Sequence, residues 1–292
     1  MHHTGPMTAP SSFPMHWQTA RFTLTLDRPL VMGIVNTTPD SFSDGGRFAR
    51  VADACAHCDR LLEQGADILD IGGESTRPGA PRPDAEEELS RVLPVLRHAV
   101  TLGCPVSVDT SQPEVMHAAV DTGVDIINDV RSLARPGALD AAAHSRVGVC
   151  LMHMRGEPET MQAQAQYADV VQEVHDFLAQ RLRDVSAAGV SLDRIVLDPG
   201  IGFAKSAEHN WRLLRYQRQL LDLGRPLLVG WSRKSSLGGL TGRPADQRVA
   251  ASVAAALASV QRGAMIVRVH DVAETVDALK VWHAAGLPDN EV

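Results

Sequence analysis

Short apolar runs recur along the chain, and each ends on a polar residue and a loop. A run of this kind without helical spacing reads as a buried strand. Residues 30–35 form the first and stop at Asn36. The stretch that follows, Thr37-Thr38-Pro39-Asp40-Ser41-Phe42-Ser43-Asp44-Gly45-Gly46, reads as a loop. In residues 51–64 the apolar positions change to helical spacing (Val51, Ala54, Cys55, Cys58, Leu61, Leu62), and Gly65 ends them. The alternation continues with strands at 68–71, 106–108, 126–127, 147–152, 195–197, 226–229 and 265–267. Helices are expected at 84–100, from Pro113, and at 168–188, 207–222, 247–261 and 272–285. The segment 84–100 opens on acidic residues, which suit a helix dipole, and Pro94 inside it predicts a kink. Upstream, Phe22-Thr23-Leu24-Thr25-Leu26 alternates as a half-buried strand and predicts a small β cap below the main fold.

Strands that are apolar throughout and alternate with helices imply a parallel sheet covered on both faces. Eight such units within 292 residues predict an α/β protein: a single-domain (β/α)8 TIM barrel at 17–288, behind a flexible, disordered N-terminal extension at 1–16. An open doubly wound sheet is the alternative. It usually carries a Gly-x-Gly-x-x-Gly turn after its first strand, and this chain has none there. Composition is ordinary for a protein with a large core, 44% hydrophobic and 22% charged. A net charge of −7 argues against a nucleic-acid partner, and no apolar run reaches the roughly 18 residues of a membrane helix. The first residues lack the order of a signal peptide, so a cytoplasmic location is expected. Cys55 and Cys58 fall on one helical face as partly buried thiols, Cys104 and Cys150 belong to the core, and no disulfide framework is expected.

In such a barrel the loops after the strands make the active-site face. At those ends stand Asn36, Glu74 to Arg77, Asp109, Asn128, His153, Asp198, Lys234, Arg268 and His270. Burying such groups without partners costs several kcal/mol. Asp109 and Asn128 each precede a helix and could act as caps, but capping does not account for the whole set. Asp109, Asn128, Asp198 and Lys234 suit a flat, donor-rich heterocycle with an amino-amide edge; an internal Asp–Lys salt bridge is the competing reading. Lysine is scarce here, three of 28 basic residues, and Lys205 and Lys234 both fall in strand-end loops, where a compact point donor matters. Asn36, Arg77, Arg268 and His270 form a second group. Arginine forks match phosphate oxygens, and Asn36 offers an oxygen to magnesium. Ser235, with its backbone N–H near a helix start, offers an anion site for a carboxylate. The glycine-bearing loops with Phe42 and Asp44, and with Thr76, Arg77 and Pro78, predict lids over the mouth. Met152-His153-Met154 has no second ligand set at metal spacing.

Eight motifs occur in order: Met32-Gly33-Ile34-Val35-Asn36-x-Thr38-Pro39-Asp40-Ser41-Phe42-Ser43-Asp44-Gly45-Gly46, Asp70-Ile71-Gly72-Gly73-Glu74-Ser75-Thr76-Arg77-Pro78-Gly79, Ser107-Val108-Asp109-Thr110, Ile127-Asn128-Asp129-Val130, Leu151-Met152-His153-Met154-Arg155-Gly156, Asp198-Pro199-Gly200-Ile201-Gly202-Phe203, Ser232-Arg233-Lys234-Ser235 and Arg268-Val269-His270-Asp271. Together, over about residues 17–285, they closely resemble the bacterial dihydropteroate synthases. The resemblance implies a pterin-binding barrel enzyme of folate synthesis, which joins (7,8-dihydropterin-6-yl)methyl diphosphate to 4-aminobenzoate and releases diphosphate, with Mg2+. Carried over by position, Asp109, Asn128, Asp198 and Lys234, with Met152 and Phe203, would hold the pterin. Asn36, Arg77, Arg268 and His270 would hold the diphosphate, with Asn36 at the metal. Thr76, Arg77, Pro78, Phe203, Lys234 and Ser235 would form the aminobenzoate and sulfonamide pocket, and Phe42, Ser43 and Asp44 would close the first loop. The catalytic set expected on this basis is Asn36, Asp109, Lys234, Arg268 and His270, in a homodimer. A pterin-dependent methyltransferase, or a paralogue that binds pterin without turnover, would have no need of the loop and anion-site residues. The chain departs from the pattern at Thr37, often valine, at Ala204, commonly glycine, and at Trp231, usually smaller, which would either tighten the mouth or cover the barrel rim, the rim being the favoured reading.

Overall fold

The computed structural model describes residues 16–38, 47–74, 83–156 and 165–286. Two short strands come first, β1 (His16–Gln18) and β2 (Thr23–Thr25), paired antiparallel. Eight parallel strands then close into the expected barrel: β3 (Leu30–Asn36), β4 (Ile68–Gly72), β5 (Val106–Asp109), β6 (Ile126–Asp129), β7 (Gly148–Met152), β8 (Ile195–Asp198), β9 (Leu227–Val229) and β10 (Ala264–Val269), which pairs back onto β3. Around them run α1 (Arg47–Glu63), α2 (Ala85–Ala99), α3 (Pro113–Thr122), α4 (Ala138–Ala143), α5 (Val170–Ala187), α6 (Ala207–Arg215), α7 (Ser235–Thr241), α8 (Val249–Val260) and α9 (Val272–Ala284).

Side chains alternate across each strand. One parity, including Val31, Leu69, Val108, Ile127, Leu151, Leu197, Val229 and Val267, packs outward in a cluster with helix residues such as Leu61, Val92 and Leu178. The other parity fills the barrel with Met32, Ile68, Ile126, Cys150, Val196, Leu228 and Ile266. Trp17 of β1 plugs this layer from below, fully buried, and its indole N–H donates to Arg194 O at 2.9 Å. The β cap thus closes the base and leaves the opposite end open for a site.

Several elements differ from the pattern's expectations. The segment 207–222 is not one helix: α6 ends at Arg215 and a 3₁₀ stretch, Gln217–Leu223, takes over. The break falls where the Gln217 amide donates to the carbonyls of Ser259 and Arg262 and draws the chain toward α8. Both α4 and α7 are too short for helical spacing to show, and Gly238-Gly239 hides α7 further. Helix α2 starts on the Asp84 cap, whose carboxylate accepts from Glu87 N, and it runs through Pro94. The four cysteines are free thiols: Cys104 and Cys150 are buried and Cys55 partly buried as expected, while Cys58, expected to be partly buried, is fully so. Trp231 does not cover the rim. It is buried in the outer cluster and stacks on Trp211 with ring centroids 4.9 Å apart.

Candidate functional site

The same parity that fills the barrel places polar residues at its C-terminal mouth. Backbone pairing sets Asn36 beside Gly72, Gly72 beside Asp109, and Asp109 beside Asn128. Across the mouth it sets Met152 beside Asp198. Gly72 leaves room for its neighbour, since a Cβ there would stand 3.3 Å from the Asp109 Cβ.

One layer deeper lies Asp70, fully buried and overlooked in the pattern because it sits inside an otherwise apolar run. Its Oδ2 accepts from Arg268 Nε at 2.6 Å and from Asn128 Nδ2 at 3.2 Å. Arg268 Nη2 donates to Asp109 Oδ2 at 2.7 Å. The guanidinium therefore bridges two carboxylates, and it joins residues that the sequence assigns to two separate groups. The internal pair here is Asp–Arg; the competing Asp–Lys bridge does not form. Burial pushes the Asp109 carboxyl up to about 7; Arg268 opposes that shift, while Asp70 and Glu74 reinforce it. Burial likewise pushes Asp198 up to about 6, opposed by the Gly200 N–H, which donates at 2.7 Å, and by the Lys234 ammonium.

The loop after β8 supplies an apolar wall. Phe203 and Ala204 pack with Val130 and Met152. Lys234 crosses this wall with its Nζ 4.1 Å from the Phe203 ring centroid, a cation–π contact. Gly202 makes that approach possible, because a Cβ there would lie 2.9 Å from Lys234 Cδ. Burial, then the Arg268 charge, pulls the Lys234 ammonium down to about 8. The loop holding Lys234 is braced by Arg248 Nη1, which donates to the carbonyls of Arg233 and Lys234 at 2.9 and 3.3 Å. Ser235, exposed, opens the short α7 rather than the Ala-rich helix. His270 hangs on Ser232, whose Oγ lies 2.9 Å from Nδ1 and accepts from the His270 backbone N–H at 3.1 Å. Burial, with Arg268 reinforcing, lowers His270 to about 3, so its ring is neutral near pH 7.

Other strand-end residues serve the scaffold. Asp129 accepts from the backbone N–H groups of Arg131 and Leu133 and from the Ser111 hydroxyl, which shapes the turn after β6. Glu74 pairs with Arg131 at 3.2 Å, tying the turns after β4 and β6 together. His153 faces Lys205 behind the mouth, 2.8 Å from its Nζ. Among the described residues, no group of three His, Cys, Asp or Glu could hold a metal ion, and Asn36 stands half-buried at the end of β3. Phe42, Ser43, Asp44, Thr76, Arg77 and Pro78 lie outside the described residues.

The profile of the pterin binding enzymes matches residues 32–270. A dihydropteroate synthase of Neisseria meningitidis serogroup B is 53% identical over 278 residues, covering 93% of this chain and 98% of that one. The chain belongs to the dihydropteroate synthases. Solved structures of this family agree. Xanthomonas albilineans dihydropteroate synthase with 4-aminobenzoic acid matches at TM-score 0.86 and 56% identity, covering 91% of this chain and 96% of that one. Yersinia pestis dihydropteroate synthase in a sulfonamide drug complex matches at TM-score 0.88 and 46% identity, covering 93% and 99%. The fold and the strand-end motifs are therefore those of a dihydropteroate synthase, and Asp70 and Arg268 sit on two of those motifs.

Proposed function

We propose that this chain transfers the (7,8-dihydropterin-6-yl)methyl group from its diphosphate ester to the amino nitrogen of 4-aminobenzoate, giving 7,8-dihydropteroate and diphosphate. The observation that carries the reading is the Arg268 guanidinium held between Asp70 and Asp109 at the barrel mouth, beside Asn128. It sets a cation against two carboxyls where a donor-rich ring and its anionic leaving group would meet.

Asp109, Asn128 and Asp198 accept from and donate to the pterin edge, with Lys234 as a point donor and Met152 and Phe203 as walls. Asn36, Arg77, Arg268 and the neutral imidazole of His270 bind the diphosphate. Thr76, Arg77, Pro78, Phe203, Lys234 and Ser235 receive the aminobenzoate, and Phe42, Ser43 and Asp44 close the first loop. The methylene C–O bond breaks first and its electron pair leaves with the diphosphate, because the pterin nitrogens delocalise the positive charge. The aniline lone pair then forms the C–N bond, and the nitrogen gives its proton to water. Arg268 stabilises charge on the leaving oxygen, and the Asp109 and Asp198 carboxyls lie near the developing cation; such preorganised charge is the main contribution the protein makes. A single oxygen donor such as Asn36, with no carboxylate cage around it among the described residues, suits a cation that keeps most of its waters and binds mainly through phosphate. Asn36 would hold Mg2+ there, where the ion would neutralise the leaving group. The working form is a cytoplasmic homodimer whose barrel domain spans 17–288, and sulfonamides occupy the aminobenzoate position.

Diphosphate release from the pterin diphosphate, with Mg2+ and with or without 4-aminobenzoate, tests the reading. Release coupled to dihydropteroate formation, lost in Arg268→Ala, supports it. Tight pterin binding without release under any condition would leave a binding protein and overturn it.

A further inference from the structure

One buried ammonium has no part in the chemistry above. Lys205 is 3% exposed at the far end of the loop after β8. Its Nζ donates to Gly200 O and Phe203 O, each at 3.0 Å, and to His153 O at 3.3 Å, and lies 2.8 Å from His153 Nδ1. Burial, with the Lys205 charge reinforcing, lowers His153 to about 2, so Nδ1 is free to accept. The acceptors come from two loops, those after β7 and β8. Burial pulls the Lys205 ammonium well below its ordinary value, with Asp198 opposing, so its charged form depends on having its protons met, and here four acceptors surround it.

The segment it gathers is sharply bent, and at one position against preference. Gly200, Gly202 and Ala204 all have positive φ, at 70°, 82° and 49°. Ala204 holds that angle without being glycine, so its Cβ crowds the following carbonyl. Gly200 passes so near His153 that a Cβ would stand 1.9 Å from its carbonyl oxygen. Carbonyl oxygens turned toward one point repel unless a cation or donor sits between them. The segment starts at Asp198 and carries Phe203, the ring under Lys234.

We propose that Lys205 is a positioning residue, an ammonium clamp that joins the loops after β7 and β8 and holds Asp198 and Phe203 in place at the mouth. The inference rests on the reading of that mouth as the pterin and aminobenzoate pocket. A clamp of this kind acts on binding of both substrates, since Asp198 faces one and Phe203 both. It also acts on charge. Asp198 faces Lys205, Lys234 from the loop after β9, Arg268 from β10 and Cys150 from β7, and Lys205 is one of the cations that hold its carboxyl ionised.

Lys205→Met, Lys205→Arg and His153→Gln test the clamp through steady-state constants, the pH profile of kcat/KM and the melting temperature. A displaced site of this type loses about tenfold or more. Lys205→Met is expected to raise both KM values by that factor and to move the acid limb to higher pH, because Asp198 loses a facing cation. Lys205→Arg restores the acid limb while KM stays raised. His153→Gln keeps the ammonium, so the limb stays put and KM rises about threefold, less than for the full loss. A folded Lys205→Met with constants within about twofold of wild type and an unmoved limb overturns the proposal. If Lys205→Met does not fold, wild-type constants in His153→Gln overturn it. A wild-type protein that forms no dihydropteroate would instead overturn the functional reading, and the clamp with it.

Discussion

Arg268→Met offers the sharpest test of how the mouth is built. The arginine holds Asp70, fully buried, at 2.6 Å and Asp109, largely buried, at 2.7 Å. Methionine keeps much of the side-chain bulk and removes the charge, so two buried carboxyls lose their shared cation. Removing one partner of a buried ion pair costs about 3–5 kcal/mol, because an uncompensated charge stays behind. Each kcal/mol moves the melting temperature of a chain of this size by about 2–4 °C, so a fall of roughly 10 °C is expected. The deficit depends on pH with a fixed sign. Already in the wild type, Asp109 titrates near 7 in the fold against an ordinary value of 3.8, so its contribution favours the fold below about 4 and is lost as pH rises through 7. Without Arg268 the native value rises further, so the variant's deficit grows from pH 5.5 to pH 8. Adding Asp70→Asn removes one of the two stranded charges and returns about 2 kcal/mol, about half the loss. It returns no diphosphate release, because the guanidinium is still missing. Calorimetric unfolding at the two pH values reads the stabilities, and the diphosphate assay reads the release. An Arg268→Met protein that melts with wild type at pH 8 would refute the reasoning, for the pairing would then carry no net energy.

Two further outcomes follow from the same geometry. The pH profile of kcat/KM should fall on the acid side as Asp198, near 6, and Asp109, near 7, take protons, and on the alkaline side as Lys234, near 8, loses one. Asp109→Asn should leave a single acid transition, which steady-state kinetics from pH 5 to 9.5 would show. Trp231→Leu should lower stability by about 2–3 kcal/mol, because its indole is 1% exposed and stacks on Trp211, yet leave KM for both substrates within about twofold; a large KM change at a temperature where the variant stays folded would put Trp231 in the mouth after all.

The barrel was legible because its strands are largely buried on both faces and most of them end at or near a polar residue. The mouth was legible as a set of positions and only partly as a set of partners. Asp70 shows the difference. Within Ile68-Leu69-Asp70-Ile71, parity sends Leu69 and Ile71 outward with the helix layer and Ile68 inward with the core, so Asp70 must point into the barrel. An acid at an inward position demands a cation, and that signal was available in the period of two. Which cation answers it was not, since Arg268 lies 198 residues away and no spacing relates them. Charge state was hidden for the same reason: His270 by residue type sits near its titration point, and burial beside Arg268 holds it neutral well below pH 7. Trp231 misled because its neighbours are polar while its stacking partner comes from α6. Arg268 belongs by residue type with the phosphate binders, but its hydrogen bonds run to Asp70, which also holds Asn128, and to Asp109. A change made on the anion side of the mouth will therefore move the groups on the heterocycle side, and single substitutions there cannot be assigned to one substrate unless the affinity for the other is measured in the same protein.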